Sequence, residues 1–227
     1  MGLRFRLSAL IFGIVLTFSP ANAQDTIKIK VSERYTLAAD QIHRRDPARH
    51  DATHYLTLTG AYFTGTEWSP TAVVEAILHA AKVLEQCGLI LQQIELVRID
   101  APSRYHHFYT PVSRELARAL ALPKPTIYFV TDTRQRPAFD AEAIGRGNSQ
   151  TRPELADSVW VTRATRDLSV ALAHELVHVL SDSGQHLDLP GNLMREETAP
   201  GNTRLTDEQC AQLRNVGEKN SLLRVKN

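Results

Sequence analysis

The sequence predicts an α+β domain in which a small twisted mixed sheet carries a backing helix and a second, buried helix. Three observations predict it. Short alternating or continuously apolar segments recur between turn-forming residues, as strands do. After the first clear strand comes a helical stripe of Val73, Val74, Ile77, Leu78, Ala81 and Leu84. The stretch Val170 to Leu180 is apolar on every side of any helix it could form, which belongs in an interior. With 227 residues, 43% of them hydrophobic, the chain can build one core, and no internal repeat marks a second domain.

Residues 1–23 stand apart. Arg4 and Arg6 precede an apolar run from Leu7 to Phe18, and Ala21, Asn22 and Ala23 follow with the small residues a signal peptidase cuts after. This predicts a cleaved signal peptide, a single domain over 24–227 beginning near Gln24, and a secreted or periplasmic location. No membrane anchor is expected after cleavage, because no later apolar stretch approaches the length of a span. Cleavage removes two arginines and no acid from the chain's 26 basic and 25 acidic residues, leaving one acid in excess. No basic field for nucleic acid remains. In an exported protein the only two cysteines, Cys87 and Cys210, predict one disulfide.

In chain order, residues 24–53 are polar and mixed in charge, with only Ile27 to Val31 alternating like a strand. They are expected to form a loosely ordered extension or a removable pro-segment. His54 to Phe63 predicts a strand, closed by the turn Thr64, Gly65 and Thr66. Ser69 then caps the backing helix, 70–86, with Pro70 in its first turn and Gly88 as its stop. Leu89 to Ile99 reads as a strand with Ile94 and Leu96 on one face, and a polar aromatic loop follows over Ser103 to Tyr109. Thr110 and Pro111 start a helix to about Leu122, which Pro123 and Pro125 end. Thr126 to Val130 is a buried strand, a continuous apolar run between breakers. Loop is expected over 132–157, with an edge strand at Ala141 to Ile144 ending at Gly145. Ser158 to Thr162 is a last strand, Asp167 caps the central helix through Ser181, and Thr206 or Asp207 opens a closing helix to about Val216.

The central helix carries the chemistry. Between Val170 and Leu180 its only polar residues are His174, Glu175 and His178, an H-E-x-x-H pattern. Four residues apart, the two imidazoles project from one helix face and can share a zinc ion, while Glu175 points about 100° away. Three buried polar groups without partners are costly, so a shared metal is the economical solution. A catalytic zinc needs a third protein ligand and an open position. His186 is the best candidate, with Gly184 letting the chain leave the helix and fold back. Asp182 and Asp188 are alternatives, or acceptors for a ligand histidine's second nitrogen. In a thermolysin-like arrangement Glu196, Glu197 or Glu208 would serve instead.

A helical H-E-x-x-H, a glycine, a further histidine and the turn Pro190 to Met194 together resemble the metzincin zinc metalloproteases. The resemblance covers about residues 170 to 215. It implies a metzincin-like fold, His174, His178 and His186 on zinc, Glu175 as general base, and Met194 beneath the metal without binding it. It also implies an edge strand that holds substrate in extended form, for which Ala141 to Gly147 is the candidate. The spacing departs from the family's. The glycine and the third histidine usually follow at successive gaps of three, whereas here the gaps are six and two. Either the helix runs about one turn longer or the linking loop is wider.

The expected function is that of an exported zinc-dependent endopeptidase acting on protein or peptide substrates. Two alternatives share the site: a non-catalytic zinc-binding or interaction protein, and a zinc amidase acting on cell-wall peptides. The other histidines take plainer readings, with His79, His106 and His107 solvated and no partner nameable for His43, His50 or His54. No G-x-S-x-G supports a serine nucleophile.

Overall fold

The computed structural model describes residues 29–43, 51–134, 143–146 and 152–226. The expected signal peptide and His50 lie outside the described residues. In chain order the elements are β1 (Lys30–Ala38), α1 (Ala39–Ile42), β2 (His54–Phe63), α2 (Pro70–Leu84) and β3 (Leu89–Asp100). Then come β4 (His107–Phe108), α3 (Thr110–Leu120), β5 (Thr126–Phe129), β6 (Asp132–Thr133), β7 (Ala143–Arg146) and β8 (Ser158–Val161). The chain finishes with α4 (Leu168–Ser181), α5 (Asp207–Lys219) and β9 (Leu223–Val225).

The main sheet runs β1-β3-β2-β5-β8-β7, with β9 also on β2, and β4 pairs separately with β6. β3, β2, β5 and β8 are mutually parallel, while β1, β7 and β9 are antiparallel to their neighbours. The mixed sheet expected from the sequence is therefore present, and the fold is α+β. Every residue of β5 and β8 is buried, as parallel central strands covered on both faces must be.

The period of two along these strands separates two cores. Ile127, Phe129, Val159 and Val161 join residues of α2, α4 and α5 on one face. Tyr128, Val130 and Trp160 join Leu116 and Ala117 of α3 on the other. The result is a sheet between two layers, with the helix pair α2 and α4 on the same side. Ser69 accepts a hydrogen bond from the amide of Ala72 at 3.1 Å, and Gly88, with φ of +73°, ends the 3-10 turn Glu85–Cys87 that continues α2. Both were legible from residue type.

Several expectations need correction. Lys30 to Ala38 is an edge strand on β3 rather than part of a loose extension, with a bulge between Val31 and Glu33. Its polar, half-exposed alternation hides it from an apolar-pattern reading. The predicted edge strand near residue 141 lies at Ala143–Arg146, so Gly145 is inside it rather than ending it. Asp167 precedes α4 but makes no side-chain cap, because it sits in the left-handed region at φ 46°. α5 reaches Lys219 through a Thr206 and Gln209 capping box, and β9 was not expected at all. Cys87 and Cys210 do form a disulfide, joining the end of α2 to α5 across 123 positions. Among the described residues no helix is long and apolar enough to cross a membrane.

Candidate metal centre

α4 packs against α2, α5, β7 and β8, so most of its surface is enclosed. Its apolar residues accordingly occupy every side, and His174 is only 3% exposed among them. His178, one turn on, is half-buried, and His186 is exposed on the following loop. The three side chains nevertheless converge. Their Nε2 atoms lie 2.9 Å apart for His174 and His178, 3.2 Å for His178 and His186, and 3.3 Å for His186 and His174. Among the described residues this is the one cluster of ligating side chains close enough to hold a metal ion.

The second ring nitrogens explain why these three atoms face inward. His174 Nδ1 is 2.8 Å from the Leu193 carbonyl, and His178 Nδ1 is 2.6 Å from the Ser183 carbonyl. A carbonyl only accepts, so in both rings the proton stands on Nδ1 and the lone pair of the neutral ring on Nε2. Two lone pairs 2.9 Å apart repel unless a cation lies between them. Imidazolium is not that cation: burial above all, with the neighbouring rings adding, lowers the His174 pKa from 6.5 to about 4, against the raising effect of the Leu193 carbonyl. Burial lowers His178 as well. Neutral imidazoles with oriented second nitrogens are the form in which histidine binds a metal, so the residues present fit one.

How the third histidine arrives settles the spacing question. α4 is not longer; it ends at Ser181, and Asp182 turns the chain with φ 45°. The Ser183 amide then bonds the His178 carbonyl at 3.2 Å, closing the helix end on the ligand itself. Gly184 is therefore not the turning residue expected, and the linking loop is the wider one. His186 follows, held by its neighbour Leu187, whose amide donates to the Met194 carbonyl at 2.8 Å.

Met194 is buried in the turn after Pro190. Gly191 adopts φ +76° there, a conformation that L side chains rarely take, so the turn favours glycine. The alternative ligands are elsewhere occupied or outside the cluster. Asp188 pairs with Arg195 at 3.0 Å, Glu196 and Glu197 are exposed, and Glu208 lies in the first turn of α5. Glu175 is half-buried beside His174 on the same helix. A cleft of about 70 Å³ adjoins His186, Met194, Ser181 and Gln209. A larger cavity of about 550 Å³, lined by Tyr35, Tyr62, Trp68 and Arg98 among others, includes none of the three histidines.

Of the remaining histidines, His79 is exposed as expected. His43 Nε2 lies 2.8 Å from the Leu91 carbonyl, and buried His54 bonds Thr53 Oγ1 at 2.8 Å. Both have partners distant or local that no spacing rule names. His106 is half-buried over Phe63 rather than solvated, and burial lowers its pKa. Sequence reasoning also missed Asn192, which is 2% exposed and bonded to Gln209. Its partner stands seventeen positions away, so no local pattern marks the pair.

No protein-family model matches the chain, and no curated protein matches it. Among solved structures, the crystal structure of metalloproteinase-II from Bacteroides fragilis is similar over 78% of this chain and 60% of that one, at 14% identity and a TM-score of 0.46. The chain thus spans less than two thirds of that protein, and a likeness so loose carries no argument about activity.

Proposed function

We propose that this chain is an exported zinc-dependent endopeptidase. One observation carries the reading: three imidazole Nε2 atoms converge within 3.3 Å, two of them on rings whose other nitrogen is engaged by a backbone carbonyl. Three protein ligands leave a fourth position open, which is the arrangement of a catalytic rather than a structural zinc site. Zinc held there supplies Lewis acidity, polarising a carbonyl and making water easier to deprotonate.

The chain's own residues have the remaining work. Glu175, next to the first ligand, takes the proton of the attacking water and returns it to the leaving amine. Among the described residues β7 ends the sheet, and it is antiparallel to β8 and packs against α4. Its outer edge suits an extended substrate backbone added as a further strand, running beside the helix that bears the site. The turn that carries Met194 supports the site through the Leu193 carbonyl, which accepts from His174 Nδ1. The features of residues 1–23 and the Cys87 to Cys210 disulfide favour an exported setting.

The test is zinc content and casein cleavage by the wild type and by Glu175→Gln. The expected result is about one zinc per chain in both, with activity lower in the variant by roughly a hundredfold or more. A variant as active as the wild type, or a wild type that binds zinc and cleaves nothing, contradicts the reading and favours a non-catalytic zinc protein.

A further inference from the structure

The turn at 191–194 is hydrogen-bonded to the histidine site at two points. The Leu193 carbonyl accepts from His174 Nδ1 at 2.8 Å, and the next carbonyl, Met194, accepts from the Leu187 amide at 2.8 Å, directly beside His186. Two adjacent backbone oxygens therefore orient the first ligand and the loop bearing the third. What holds those oxygens is an amide pair. Asn192 Nδ2 donates to Gln209 Oε1 at 2.8 Å, and Gln209 Nε2 donates back to Asn192 Oδ1 at 3.2 Å. Asn192 Oδ1 also accepts from the Met194 amide at 2.9 Å, pinning the turn to its own side chain.

The pair is anchored from behind. Gln209 Oε1 also accepts from the Thr206 amide at 2.9 Å, within the capping box of α5. Gln209 precedes Cys210, and Gln86 precedes its disulfide partner Cys87. Gln86 donates to the Thr203 carbonyl at 2.7 Å and accepts from the Leu205 amide at 2.8 Å. Between those two residues, Arg204 exchanges backbone bonds with Gly191 and Leu193 at 3.0 and 2.7 Å. The turn is thus braced by side-chain amides on both sides of the disulfide.

We infer that Asn192 and Gln209 are positioning residues of the metal centre, setting the Leu193 and Met194 carbonyls so that His174 and His186 meet at one point. This rests on the zinc reading above. A buried amide that only stabilised the fold would lower stability when removed and leave metal affinity alone. A positioning pair lowers affinity out of proportion to stability, because partners behind the ligands typically govern metal binding roughly ten- to a hundredfold.

The experiment measures the Zn²⁺ dissociation constant and, on metal-free protein, urea stability for Asn192→Ala, Gln209→Ala and Ser69→Ala. Ser69→Ala removes the cap of α2, whose bond to the Ala72 amide is separate from the 191–194 turn, and sets the scale for the loss of a helix cap in stability. Asn192→Ala and Gln209→Ala are expected to weaken Zn²⁺ binding roughly ten- to a hundredfold, and Ser69→Ala to leave it unchanged. If Asn192→Ala does not fold, Gln209→Ala decides alone. Variants that bind Zn²⁺ like the wild type overturn the inference, as does an equal loss in Ser69→Ala. A wild type that binds no Zn²⁺ overturns the zinc reading, and this inference with it.

Discussion

The two halves of the metal centre are built by different means. His174 and His178 stand on α4, where helical geometry alone puts them on one face and enclosure by α2, α5 and the sheet holds the backbone. His186 stands on an irregular, exposed loop, and its place depends on a few bonds: the left-handed turn at Asp182, the Leu187 amide on Met194, and the amide-braced turn behind it. A helix specifies ligand spacing by period, and a loop specifies it by anchors that must each be supplied. The first half should therefore tolerate changes outside itself, whereas the second should be sensitive to its anchors.

The largest effect expected is an asymmetry between ligands. Structural zinc sites gain on the order of 10–16 kcal/mol from four ligands, or about 3 kcal/mol for each. His186→Ala should then weaken Zn²⁺ binding by about a hundredfold. His178→Ala should cost about ten thousandfold, because it removes a ligand and also the Nδ1 bond to Ser183 that starts the loop toward His186. Equilibrium titration with Zn²⁺ checks this, and equal losses would erase the distinction between helix and loop.

Next comes the disulfide. Replacing Cys87 and Cys210 with alanine releases a constraint across 123 positions, which on the chain-entropy argument lowers stability by about 5 kcal/mol. Urea unfolding gives the total. Hydrogen exchange should show faster opening in 190–206 and α5 while α4 keeps most of its protection; loss of protection in α4 first would reverse the comparison.

The pH dependence of the metal-free protein tests the helix half. His174 stays neutral in the fold down to about pH 4, but in the unfolded chain it takes up a proton near 6.5. As pH falls between those values the unfolded state binds the proton that the folded state refuses, so stability declines by about 3 kcal/mol. Above about 6.5 this group contributes no pH dependence. Urea midpoints in the presence of chelator should fall across that window, and adding Zn²⁺ at neutral pH should raise stability by mass action. Metal-free stability that is flat across the window would contradict the buried, neutral His174.

The smallest effect concerns the loop half. Gly191→Ala places a Cβ at φ +76° and against Arg204, and should cost about 1–2 kcal/mol. Thermal unfolding measures it, and a neutral substitution would show that the turn relaxes freely.

The same contrast explains what was legible in the sequence. The helix half was read from residue type: apolar on all sides, two histidines four apart, a carboxylate between. The central strands were read as well, because Ile127 to Val130 is apolar throughout. β1 was missed because an edge strand needs no apolar face, and Lys30 to Ala38 is largely polar. His186 was reachable as a ligand type, but its route was not. Glycine was expected to turn the chain, and an aspartate does so, a choice fixed by the His178 and Ser183 backbone bonds that residue preference does not encode. Asn192 and Gln209 were invisible for a related reason: seventeen positions apart, they meet only once the turn and α5 are in place.

The most direct measurement is diffraction at the zinc absorption edge from crystals of the zinc-loaded protein. One anomalous peak is expected at about 2.0–2.1 Å from each Nε2 of His174, His178 and His186, with Glu175 outside the ligand set. A zinc held without His186, or completed by an aspartate or glutamate in its place, would contradict that assignment.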